Sequence, residues 1–201
     1  MIVIGIDPGI VNLAVCVLDY TPGAGTSGAG TWKIIHWELI DLKPYILNKK
    51  AFAQNLPVAI KSAFDARPYL HKPDQVIIEL QWGKRHNISV QAYIVMYYIL
   101  SGAVVGTCGA TSKASATTYI RVCHGKEKFV GKERALKGKK NYSKRKNIGI
   151  EKILKCLTDN KMNKAVEFFG SAKKKQDDLA DALILALTYL PKEFFPSSMV
   201  K

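Results

Sequence analysis

Four acidic positions lie where an acid is costly, and their order along the chain has a chemical meaning. Asp7 ends the apolar run Ile2, Val3, Ile4 and Ile6, and Pro8-Gly9 follows at once. Proline restricts Asp7 to an extended shape and Gly9 permits a tight turn, so a carboxylate is held at the end of a buried strand. Glu79 lies inside a second short apolar run, Gln75 to Leu80. A glutamate there is unfavourable unless it is exposed at the strand end, paired, or bound to metal. Asp178 and Asp181 are three apart in DDLADALILALTYL, so on a helix they share one side. Asp177 lies four before Asp181 and could replace Asp178 in that role. Capping of a helix N-terminus explains Asp177 or Asp178. It explains Asp181 less well, because Asp181 is already inside an apolar helix. Carboxylates that enter a core together repel unless a cation lies between them. Four such side chains can hold two Mg²⁺ ions about 4 Å apart, which activate water and steady the leaving oxygen in phosphodiester hydrolysis.

The elements that must position these acids follow from periodicity. Residues 1–7 and 10–18 read as paired strands, and Trp32 to Asp41 as a third strand in an antiparallel meander. The Gly/Ala/Ser/Thr-rich residues 20–31 between them read as a flexible loop, and no Gly-Lys-Ser/Thr follows to make a phosphate loop. Phe52, Leu56, Ile60, Ala63 and Phe64 predict a helix over 49–66, with Pro57 as a kink or late start. Gln75–Leu80 is the fourth strand, residues 87–102 a helix, and Val104–Cys108 a fifth strand. Residues 148–169 and Asp177–Leu190 read as helices, the second ended by Pro191. The expected architecture is α/β: a five-stranded mixed sheet, its first three strands antiparallel, with helices on both faces. The acids then meet at the carboxyl ends of strands one and four, beside the start of the last helix.

The chain has 201 residues, 48% of them apolar, which suits one domain with a sizeable core. No apolar stretch has membrane-spanning length, and residues 1–18 lack the basic start of a signal peptide. An intracellular protein with no membrane partner is expected. Cys16, Cys108, Cys123 and Cys156 are far apart with no CxxC pair, so neither zinc nor a disulfide framework is indicated. The net charge is +14 and the pI about 9.6, which favours a polyanion partner, nucleic acid first. The charge is concentrated. Arg121 to Lys146 holds eleven basic and two acidic residues and reads as a mobile basic loop. Lys137, Lys139, Lys140, Lys144, Arg145 and Lys146 in it suit phosphate-backbone contact. The bland alternative is a solvated charge run. Trp82, with Lys84 and Arg85 in the short basic turn after it, either packs on the core or faces nucleic acid, where an indole can stack on unpaired bases.

The motif GIDPG, the strand IIE followed by a helix, and the late DDLADAL together resemble the ribonuclease H-like superfamily. Within it they resemble the RuvC-type Holliday junction resolvases. Chain length and the basic insert are most similar to the poxvirus members. The resemblance runs through 1–19, 75–113 and 172–190. It implies a homodimer that makes paired, symmetrical nicks across four-way or branched DNA in recombination, replication and viral concatemer processing. It implies Mg²⁺ or Mn²⁺, two ions per active site, and for a poxvirus protein the host cytoplasm. Residue by residue, it implies that Asp7, Glu79, Asp178 and Asp181 bind the metal. Lys113 falls where the family places a basic residue near the scissile phosphate, and Trp82 where it carries an aromatic that meets the opened junction.

Three rivals share parts of this pattern. Another nuclease of the superfamily, acting on RNA–DNA hybrids or as an integrase, has the same acids. Actin-like ATPases and sugar kinases also open with a strand, an Asp and a glycine turn, but they need two such domains and a second glycine-rich motif. A non-catalytic DNA-binding module would carry the basic stretch without needing Glu79 and Asp181 in apolar elements.

Overall fold

Three β-rich runs near the start of the chain form an antiparallel meander: β1 (Ile2–Asp7), β2 (Leu13–Thr21) and β3 (Thr31–Ile40). β4 (Gln75–Leu80) lies parallel to β1 on its other side. β6 (Tyr119–His124) lies parallel to β4, and β5 (Val104–Val105) closes the edge, giving the order β3-β2-β1-β4-β6-β5. These come from a computed structural model that describes residues 1–23, 30–46, 51–82, 85–105, 117–124 and 141–190.

The sheet separates two cores. On one face Ile4, Ile6, Val76, Ile78 and Ile120 meet α1 (Phe52–Asp65) and α2 (Arg85–Leu100). On the other, Val3, Ile77 and Cys123 meet α3 (Tyr142–Asp159), α4 (Asn163–Ser171) and α5 (Gln176–Leu187). The two lists alternate along each strand, as the two-residue period of a strand requires. α5 is apolar on nearly every side because it is covered on nearly every side: Leu179, Ala180 and the whole run Ala182–Leu187 are buried between the sheet and α3. Each fully buried leucine there contributes about 1.5–3 kcal/mol.

α5 approaches β1 so closely that only glycine fits at the crossing. A Cβ on Gly5 would lie 2.1 Å from the Ala182 carbonyl oxygen and 2.6 Å from the Ala186 nitrogen. The first turn of α5 is fixed from the side as well. The Trp37 indole N–H on β3 donates to the Leu179 carbonyl at 3.0 Å, and its ring stacks on Phe169 of α4 with centroids 5.1 Å apart.

The structure corrects three expectations. The sheet has six described strands rather than five. The added strand is β6, so Arg121–His124 belongs to the sheet and not to a basic loop. Ile120 and Cys123 are buried there while Arg121 and His124 are more exposed, a mixed pattern that basic side chains disguise. At the other end of the basic stretch, Lys144, Arg145 and Lys146 lie in α3, which begins at Tyr142 rather than at residue 148. The single helix expected over 148–169 is two, α3 and α4. They break at residues 160–162, where Lys161 takes a left-handed φ of 56°. The expected helix over 49–66 is α1, which begins at Phe52 and runs through Pro57. Cys16, Cys123 and Cys156 are buried, and burial raises the Cys16 thiol well above its ordinary range. Among the described residues no helix is long and apolar enough to cross a membrane.

Candidate metal centre

Strand register brings the first two carboxylates together. Ile6 of β1 pairs with Ile78 of β4, so Asp7 and Glu79 are the next residues along neighbouring parallel strands. Ile6 and Ile78 face α1 and α2, so alternation turns Asp7 and Glu79 to the α5 face. The crossing at Gly5 seats α5 over that face, with Asp181 one residue before Ala182. One ligand oxygen from each of Asp7, Glu79 and Asp181 lies within 4.8 Å of the other two, and all three residues are half-buried. Oxygens on opposite sides of a Mg²⁺ ion are about 4 Å apart, given bonds of about 2.1 Å. The donor set is all oxygen, so it fits a hard divalent cation with a small closure of the side chains.

Asp178 lies outside that group of three, one helical turn earlier on α5. Its carboxyl is raised above the ordinary range, first by desolvation, then by the charge of Asp177, with a smaller contribution from Asp181. Lys175 at 3.9 Å and Lys146 act in the opposite direction. Asp177 is engaged elsewhere, in an ion pair with Lys146 of α3. The two neighbouring aspartates therefore point to different partners. Lys175 has a second anchor. With the Asn12 amide turned to satisfy both its neighbours, the Asn12 oxygen accepts from Lys175 Nζ at 2.6 Å.

Sequence-based expectations do not include Gln81, yet it reaches the acids directly. Its amide nitrogen donates to Asp7 Oδ1 at 3.1 Å and to Glu79 Oε2 at 3.2 Å. The signal was present in the spacing: residues two apart at a strand end face the same way. Trp82, the next residue, is 73% exposed and stacks on His124 at the end of β6, with ring centroids 5.8 Å apart. Lys144 is exposed on α3 and Lys146 is half-buried against Asp177. Lys84, Lys113, Lys137, Lys139 and Lys140, the side chains of Arg85 and Arg145, and Cys108 lie outside the described residues, as do 24–29 of the 20–31 loop.

Solved structures with the same fold are those of junction-resolving nucleases. A crystal structure of the fowlpox virus Holliday junction resolvase is 22% identical, covers 94% of this chain and 96% of its own, and has a TM-score of 0.55. The fowlpox resolvase with substrate Holliday junction DNA gives 24% identity, the same coverage and a TM-score of 0.57. The yeast mitochondrial Holliday junction resolvase Ydc2 is 16% identical with a TM-score of 0.57, over 93% of this chain and 78% of its own. Among curated protein sequences none matches significantly. The likeness to these resolvase structures is one of overall fold and runs over nearly the whole chain. The family model described as the poxvirus A22 protein matches residues 1–193, and the chain belongs to that family.

Proposed function

We propose that this protein is a metal-dependent endonuclease that resolves four-way DNA junctions and branched DNA by paired, symmetrical nicks. The observation that carries this reading is the convergence of Asp7, Glu79 and Asp181 from three separate elements onto one point. The fold around that point is matched almost end to end by the fowlpox resolvase, whose structure with Holliday junction DNA is solved. In this reading residues 1–201 form one nuclease domain that works in the host cytoplasm on replicating or recombining viral DNA.

Asp7, Glu79 and Asp181 hold Mg²⁺, or Mn²⁺ in its place, and Asp178 is available to a second ion from one turn away on α5. When bound, the metal supplies an activated water and charge stabilisation for the leaving oxygen. The chain's own residues do the rest. Gly5 and Trp37 fix α5 so that Asp181 faces Asp7. Lys144, together with Arg145, Lys146 and Lys137, Lys139 and Lys140, contacts phosphates, which sets affinity rather than sequence preference. Lys84 and Arg85 do the same, and Lys113 has the role near the scissile phosphate that the family resemblance implies for it. Trp82 presents its indole to bases unpaired at the junction centre, which its 73% exposure supports.

Symmetrical nicks need two sites in one particle, so the active form is a homodimer. α2 offers a surface for the second copy: Ile88, Met96, Ile99 and Leu100 are all exposed on it. The test is to incubate the protein with a four-way junction, a linear duplex and an RNA–DNA hybrid, with Mg²⁺ or with a chelator, and to map the nicks. Paired nicks at symmetry-related positions of the junction, only with metal, are expected. Cleavage confined to the hybrid would overturn the assignment.

A further inference from the structure

We infer that Gln81 is a positioning residue for the metal centre, holding the Asp7 and Glu79 carboxylates together and tying them to the start of α2. The inference rests on the metal-site reading above. Four contacts define it. The two hydrogens of one amide nitrogen go to two different carboxylates, Asp7 Oδ1 at 3.1 Å and Glu79 Oε2 at 3.2 Å. The Gln81 amide oxygen accepts from Asn87 Nδ2 at 3.4 Å, and the Gln81 backbone N–H donates to Gln91 Oε1 at 2.8 Å. Asn87 and Gln91 are four apart on α2 and so share a face, which is turned to residue 81. The orientation of the Gln81 amide is not arbitrary, because carboxylates only accept, and the nitrogen is the end that can face them.

The chemistry suits an arrangement that outlasts metal arrival. Each carboxylate has about four lone-pair directions, so Asp7 and Glu79 can accept from Gln81 and still bind a cation. The amide carries no net charge. It relieves the repulsion between two neighbouring acids without neutralising them, which a lysine in its place would do. Hydrogen-bond partners that orient the carboxylates of a metal site typically account for 10–100-fold in affinity. Because Gln81 is held by α2 on one side and precedes Trp82 on the other, it also links the acids to the segment that meets the junction.

The experiment is a calorimetric titration of the full-length protein with Mn²⁺ in the absence of DNA. It compares the wild type with Gln81→Leu, Gln81→Asn, Gln91→Leu and Asp7→Asn. Thermal melting in chelator and junction binding in chelator serve as controls. Gln81→Leu should bind Mn²⁺ about 10–100-fold more weakly, while binding junctions in chelator like the wild type. Gln81→Asn, one methylene too short to span both acids, should behave the same way, so the idea remains testable if the leucine variant does not fold. Gln91→Leu should show a smaller loss in the same direction. Wild-type Mn²⁺ affinity in folded Gln81→Leu or Gln81→Asn, with Asp7→Asn unable to bind, would overturn the role of Gln81 and leave the metal site standing. Failure of the wild type itself to bind Mn²⁺ would overturn both.

Discussion

The acids of the candidate centre are held in two different ways. Asp7 and Asp181 belong to elements locked by backbone contact, since α5 rests on Gly5 with no room for a methyl group. Glu79 lies one residue before the end of a strand whose continuation is secured by side-chain amides, through Gln81 to Asn87 and Gln91. One half of the site is set by close packing, which admits few alternatives. The other is set by hydrogen bonds at the rim, each contributing about 0.5–1.5 kcal/mol. Damage to the packed half should therefore cost both folding and chemistry, and damage to the rim chiefly chemistry.

The largest effect should come from the acids themselves. Asp7→Asn, Glu79→Gln and Asp181→Asn should each reduce junction cleavage by about a thousandfold or more, several kcal/mol of transition-state stabilisation. Junction binding in chelator should be nearly unchanged, because phosphate contacts remain. Asp178→Asn belongs in the same series. Cleavage close to wild type for any member would remove it from the metal set, and a dead Asp177→Asn beside a live Asp178→Asn would shift the register on α5 by one.

Gly5→Ala comes next. The added methyl meets backbone atoms of α5, so the helix must move, at a cost of about 1–3 kcal/mol or more. Urea unfolding should show that loss, and the folded fraction should also bind Mn²⁺ more weakly as Asp181 withdraws. A variant with wild-type stability would mean that α5 is not seated as described. Trp37→Phe is smaller. It keeps the stack on Phe169 but removes the N–H that donates to Leu179, for a loss of about 0.5–1.5 kcal/mol in the same unfolding assay. No change would mean that the Trp37 hydrogen bond adds nothing to the packing that seats α5.

Trp82→Ala should have the least effect on stability, within about 0.5 kcal/mol, because the residue is 73% exposed. Its effect should fall on cleavage of fully paired junctions and be partly relieved when bases at the crossover are left unpaired. An equal loss on both substrates, or a large fall in melting temperature, would place the indole in the scaffold instead.

The packed half was the more legible one. The apolar runs before Asp7 and around Glu79, the turn at Pro8-Gly9 and the helical spacing of Leu179, Leu183 and Leu187 all report burial, and burial is what hydrophobic pattern encodes. The rim was harder. β6 carries Arg121 and His124, so its alternation is easily taken for the start of a basic loop. The break between α3 and α4 is hidden for a different reason. Met162, Ala165 and Val166 pack on the same core as Ile150 and Leu154, so the apolar period continues across the turn at Lys161. Gln81 had the right parity, but nothing in its type separates an amide that braces two acids from one that faces water.

The seat of α5 on β1 also has a consequence in time. A ribosome adds about 5–20 residues per second. After Asp7 emerges, on the order of ten to thirty-five seconds pass before Asp181 can join it. Throughout that interval the strip of β1 around Gly5 has no cover, and the acids cannot assemble. The contact that finishes the centre is among the most distant in the sequence, and such contacts form late. A partly made or truncated chain that lacks α5 is therefore expected to be without the metal centre. The same delay leaves an uncovered apolar strand during synthesis, the condition under which a nascent chain depends most on chaperones.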